Sequence, residues 1–168
     1  MNCNGALPLY VGNTCDFYTD GGCSCFIEMS LFTDVQLGYS LFDEIVVRVS
    51  ALNNKGRSEY NSVTLQGTQA TVKTVPADMP SNTITRGEDT SDLVLHIQWS
   101  PLVTPTETGD SEILSYELQY DQGTNTWVTV VGNPDLYTET EVMITQDVEP
   151  GILYSFRVKA KNVYGWAS

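Results

Sequence analysis

Tyr154-Ser155-Phe156-Arg157-Val158-Lys159-Ala160-Lys161-Asn162-Val163-Tyr164-Gly165 is the stretch that decides the fold. Tyr154, Phe156, Val158 and Ala160 alternate with polar residues, the period of two that a half-buried strand requires. Glu149-Pro150-Gly151 places a turn before it. Further back, Leu93-Val94-Leu95-His96-Ile97-Gln98-Trp99 sets Leu93, Leu95, Ile97 and Trp99 on one face and Val94, His96 and Gln98 on the other. Leu114 to Tyr120, Trp127 to Val131 and Glu141 to Thr145 read as three more strands. Turn chemistry separates them at Pro101 to Asp110, Asp121-Gln122-Gly123 and Gly132-Asn133-Pro134-Asp135. Helix signals are nearly absent. Short strands at this spacing predict an all-β sandwich centred on Trp99, with Tyr116, Leu118, Val142, Ile144, Phe156 and Val158 around it.

The decisive stretch has a second copy. Arg48-Val49-Ser50-Ala51-Leu52-Asn53-Asn54-Lys55-Gly56 matches Arg157 to Gly165, with Arg, Val, Ala, Asn and Gly in register at an offset of 109. A length of 168 residues fits two small all-β modules of roughly 90 residues each. Lys73-Thr74-Val75-Pro76-Ala77-Asp78-Met79-Pro80 is the expected join, stiffened by two prolines.

Composition excludes several functions. Eight Lys and Arg against 21 Asp and Glu give a net charge of −13. Phosphate recognition needs clustered cations, so nucleic acid is not an expected partner, nor is an anionic membrane surface. No apolar run approaches the ~20 residues of a spanning helix. One histidine excludes a His-rich metal centre and paired-His chemistry.

All four cysteines, Cys3, Cys15, Cys23 and Cys25, lie in the first 25 residues. An even number in a loop-rich segment reads as disulfides in an oxidising compartment. The rival is zinc, which favours two Cys-x2-4-Cys pairs that are not present here. Asp20-Gly21-Gly22 closes a small turn, so Cys15–Cys23 is the expected inner bridge and Cys3–Cys25 the outer one. Ser24 to Met29 reads as a strand. An extracellular or cell-surface setting follows, and the absence of a signal peptide at Met1 to Gly5 makes this chain an expected part of a longer product.

The residues resemble fibronectin type III modules. In that family strand B carries a core Trp, here Trp99 before Ser100-Pro101, and strand C carries a Tyr, here Tyr116. The E–F corner pattern Leu-x-Pro-Gly-x-x-Tyr appears as Val148-Glu149-Pro150-Gly151-Ile152-Leu153-Tyr154. Strand F, Tyr-x-Phe-x-Val-x-Ala-x-Asn-x-x-Gly, is matched from Tyr154 to Gly165. The resemblance implies an immunoglobulin-like sandwich whose core includes Trp99, Tyr116, Tyr154 and Phe156. Tyr154 would send its hydroxyl back to upstream backbone. It divides the chain into residues 1–76, a partial module with strands about E to G and a Cys-rich insert, and 77–168, strands A to F without G. In the first copy Ile45 stands where Tyr154 stands in the second. The Cys-bearing insert and the Asn-x-x-Gly-Trp ending further resemble repeats of very large protist (ciliate-type) surface proteins.

Candidate sites are few. His96, on the polar face of its strand, is expected in solvent. Glu88 to Asp92 and Glu107 to Glu112 read as solvated acidic loops, since no EF-hand spacing gathers them around calcium. Arg86-Gly87-Glu88 differs from an integrin tripeptide in its last residue. Thr104, Thr106 and Thr108 are candidate O-glycan acceptors. Tyr164 and Trp166, on the F–G turn, are candidate partner contacts. No catalytic, cofactor or metal motif stands out. The expected role is a non-enzymatic structural module of an extracellular array or fibre, touching neighbouring modules or identical chains head to tail. The alternative is an adhesin or receptor ectodomain that binds a protein or glycan through its loops.

Overall fold

The computed structural model describes residues 15–17, 23–25, 27–35, 37–46, 52–59 and 69–168. The chain divides into two compact units, Met1–Val72 and Lys73–Ser168.

In the first unit, β1 (Cys15–Phe17) and β2 (Cys23–Cys25) form an antiparallel pair. The strand expected from Ser24 to Met29 stops at Cys25. Leu31 and Phe32 turn back to the carbonyls of Glu28 and Met29, and a single helical turn, α1 (Ser30–Thr33), follows. The edge of Phe32 packs on Tyr39, ring centres 5.9 Å apart, and fixes that turn in place. β3 (Glu44–Val46) pairs antiparallel with β6 (Gln69–Thr71) and buries Ile45. Between them β4 (Leu52–Asn53) and β5 (Gly56–Arg57) make a tight hairpin. Residues 48–51 of the repeated motif lie outside the described residues.

The second unit is a two-sheet sandwich. One sheet has the order β11-β8-β7, built from β7 (Ile84–Arg86), β8 (Leu95–Trp99) and β11 (Glu141–Ile144). The other has the order β10-β9-β12-β13, from β9 (Ser115–Tyr120), β10 (Val128–Val131), β12 (Phe156–Asn162) and β13 (Gly165–Trp166). All pairings are antiparallel. Ile97, Trp99, Tyr116, Leu118, Ile144 and Ala160 close the space between the sheets, and Val142, Phe156 and Val158 pack against them. Leu118 is fully buried at the centre, worth about 1.5–3 kcal/mol of transfer free energy. The Trp99 and Tyr116 rings meet edge to face at 6.0 Å, and the Tyr116 hydroxyl accepts from Leu102 N at 3.1 Å. Burial pushes the Tyr116 phenol up from its ordinary range.

The β12–β13 hairpin pairs Lys161 with Trp166 and Asn162 with Gly165. The β4–β5 hairpin pairs Leu52 with Arg57 and Asn53 with Gly56. These are the same four positions displaced by the 109-residue offset of the sequence repeat. Gly56 and Gly165 both sit at φ 137, a backbone that side chains disfavour, so Gly in both copies has a physical cause. β13 lies beside β12 at the edge of the four-stranded sheet.

The expected connector is largely part of the second unit. Thr74 N donates to Gly109 O and Ala77 N to Glu107 O, while Lys73 Nζ reaches Asp110 at 3.2 Å. Asn162, fully buried, locks this segment. Its Nδ2 donates to Thr74 O at 2.7 Å and Thr108 O at 2.9 Å, and its Oδ1 accepts from Tyr164 N at 2.8 Å.

Candidate interaction surface

Strand alternation gives the four-stranded sheet a polar outer face. With Tyr116, Leu118, Phe156, Val158 and Ala160 turned inward, Ser115, Glu117 and Gln119 of β9 and Arg157, Lys159 and Lys161 of β12 turn out. The register sets Arg157 beside Gln119 and Lys159 beside Glu117. Arg157 Nε donates to Gln119 Oε1 at 2.8 Å, and its guanidinium lies 4.3 Å over the Trp127 ring. Lys159 Nζ pairs with Glu117 at 3.2 Å. Lys159 and Lys161 lie 5.1 and 5.5 Å from the centre of the Trp166 ring. Cations over indole faces gain from the ring quadrupole, and the rings cover the aliphatic stems.

Glu117 is the anchor of this face and only 2% exposed. Burial pushes its carboxyl up, but bonds from Thr129, Lys159 and Gln119 and the Lys159 charge outweigh that and hold it below the usual carboxylate range. Thr129 Oγ1 donates to it at 2.7 Å and Gln119 Nε2 at 2.8 Å.

The other expected site residues are placed as follows. Trp166 belongs to this face, and exposed Tyr164 stands in the β12–β13 turn. Tyr154 is half-buried, and its hydroxyl accepts from Glu149 N at 2.8 Å. Thr106 and Thr108 are not loop residues: Pro105–Thr108 form a helical turn, α2, with Thr104 just before it. Thr104 caps it, its Oγ1 accepting from Glu107 N while the Glu107 carboxylate accepts from Thr104 N at 2.8 Å. The backbone bond from Thr104 holds the Glu107 carboxyl low. Of the three threonines, Thr106 is exposed and takes no part in the cap.

The β1–β2 register sets Cys15 opposite Cys25 and Phe17 opposite Cys23. Cys3 lies outside the described residues.

His96 is buried, contrary to the expectation of solvent exposure. Its strand position does face outward, but the turn after β7 folds over it. Gly87 N donates to His96 O at 2.7 Å, and a Cβ at Gly87 would collide with the imidazole. Nδ1 lies 3.5 Å from Asp89 and Nε2 3.3 Å from Glu141. Gln98 and then His96 hold the Glu141 carboxyl below its ordinary range. Among the described residues no group of three or more His, Cys, Asp or Glu is arranged to hold a metal ion, and no helix is long and apolar enough to cross a membrane. The cation–indole face was legible in the alternation of Arg157, Lys159 and Lys161; the Trp127 and Trp166 stacking needed the strand pairing.

Three strands against four, closed over one Trp-centred core and carrying a polar outer ladder, define an immunoglobulin-like β-sandwich. A family model for the fibronectin type III domain matches residues 78–168, and the chain belongs to that family, which is generally non-catalytic. A crystal structure of domains from titin is similar to this chain at 23% identity and a TM-score of 0.43, over 60% of this chain and 32% of that chain.

Proposed function

We propose that this chain is a non-enzymatic structural module of a long extracellular tandem-repeat protein that builds a surface array or fibre. The observation that carries the reading is the repeated hairpin: β4–β5 and β12–β13 share pairing, spacing and glycine backbone angle. One supersecondary unit at a fixed offset is how arrays of modules are written in sequence. The resemblance to ciliate-type surface repeats and the cysteine cluster support the extracellular setting. Identical chains or neighbouring modules are the partners in this reading, with O-glycans on Thr106 and no cofactor. The cation–indole face favours a second reading, an adhesin or receptor ectodomain, because exposed indoles and cations also suit a protein or glycan partner.

Surface shaving of intact cells tests the location. Added trypsin should release peptides of this chain, such as one ending at Lys55 in the exposed β4–β5 turn, without lysis, and peptides seen only after lysis would refute the extracellular role.

A further inference from the structure

The second unit carries its charge unevenly. Residues 73–168 hold five Lys and Arg against fourteen Asp and Glu. Three of the five, Arg157, Lys159 and Lys161, stand on one outer strand face, about 7 Å apart along β12. The outer face of the opposite sheet is acidic. Glu141 and Met143 sit on it across from Gln98 and His96, with Asp89 beside the imidazole. A cleft of about 290 Å³ opens there, lined by His96, Tyr137, Glu139, Glu141, Val142 and Met143. Its carboxylates and its exposed, apolar Met143 suit a long aliphatic stem ending in a cation. Arg86, exposed on the edge strand β7, pairs in register with Ile97 and not with Gln98 or His96.

We propose that the Arg157–Lys159–Lys161 face of one chain docks on the acidic β11-β8-β7 face of a second copy. The contact rests on the array reading and gives it a lateral partner. It joins two different surfaces of the same molecule, so it is heterologous and propagates from copy to copy. The net charge does not forbid it: at about 0.15 M salt the Debye length is ~8 Å, so the centres of two copies are screened from each other while apposed side chains are not. The four-stranded face offers roughly 400 Å² per copy, which places the contact among weak, transient interfaces. Indole packing pre-orients Arg157 and Lys161, which lowers the ordering cost of docking.

Sedimentation equilibrium of the full chain tests this with two charge-reversed variants. Arg157→Glu/Lys161→Glu should weaken self-association at least about tenfold, as should Asp89→Lys/Glu139→Lys, because each sets like charges face to face. Mixing the two variants should restore association, since the intact cationic face of one then meets the intact acidic face of the other. Arg157→Gln/Lys161→Gln, which keeps side-chain bulk, should give an intermediate loss, and circular dichroism melting identifies any variant that fails to fold. A wild-type chain that stays monomeric up to about 1 mM overturns the proposal. So does association that neither reversal changes, or a mixture that stays dissociated. Binding of poly-glutamate by a monomeric wild type would assign the face to a foreign acidic partner and overturn it equally. Monomeric chains together with positive surface shaving would remove this contact and leave the array reading standing. Failed shaving with intact, swap-rescued association would do the reverse.

Discussion

Asn162→Ala should be among the costliest polar substitutions in the second unit. The side chain is fully buried and makes three bonds, to Thr74 O, Thr108 O and Tyr164 N. A neutral hydrogen bond contributes about 0.5–1.5 kcal/mol net, and a buried group left unpaired costs about 1–3 kcal/mol. Alanine orphans two carbonyls and one N–H, so a loss of about 3 kcal/mol is expected. All three tryptophans, Trp99, Trp127 and Trp166, lie in this unit, so their fluorescence reports its unfolding. With an m-value of about 1.5 kcal/mol/M, the urea midpoint should fall by about 2 M. Asn162→Asp separates donation from shape: it keeps the acceptor for Tyr164 N but turns a carboxylate toward two carbonyls, so it should lose at least as much. A midpoint shift below about 0.3 M for Ala, or an Asp variant as stable as wild type, would refute the role assigned to Asn162.

Trp99→Ala should cost about 3–5 kcal/mol in the same assay, and a loss under about 1 kcal/mol would contradict the core assignment. Gly87→Ala should be destabilising, because Gly87 is buried and the new methyl meets the His96 ring; His96→Ala in the same chain should recover part of the loss. The Glu117 carboxyl is held below its unfolded value of 4.5, so its contribution is present above that pH and is lost as pH falls through its lower folded value. Acid titration of stability should therefore be flatter for Glu117→Gln than for wild type; equal slopes would argue against the bond network around it. Non-reducing peptide mapping should find no free thiol among the four cysteines; four free thiols or bound zinc would contradict the extracellular setting.

Where alternation of apolar and polar residues decides a segment, its residues alone announced its structure. The strands β8, β9, β10, β11 and β12 follow period-two alternation within two residues at each end, and Trp99 to Val158 supply the core that pattern implies. The missed helical turn was also written locally: Thr104-Pro105-Thr106-Glu107 is a capping box with Pro in the first turn, and the prolines and threonines masked it as a loop. Ser24 to Met29 failed for a different reason. Its alternation suits a strand, but the turn at Glu28 to Phe32 and the Phe32–Tyr39 contact decide otherwise. His96 could not be read from its own strand, since what buries it is the turn at Gly87 to Thr90. The candidate face was half legible. The cations alternate visibly along β12, but Trp127 and Trp166 reach them only through pairing with other strands.

Mechanical unfolding of the native protein that carries this chain tests the central claim most directly. A tandem array of modules of roughly 90 residues should rupture one module at a time, each event releasing about 300 Å of chain. The account predicts a regular train of such steps. A single rupture, or irregular steps with no repeating length, would contradict it.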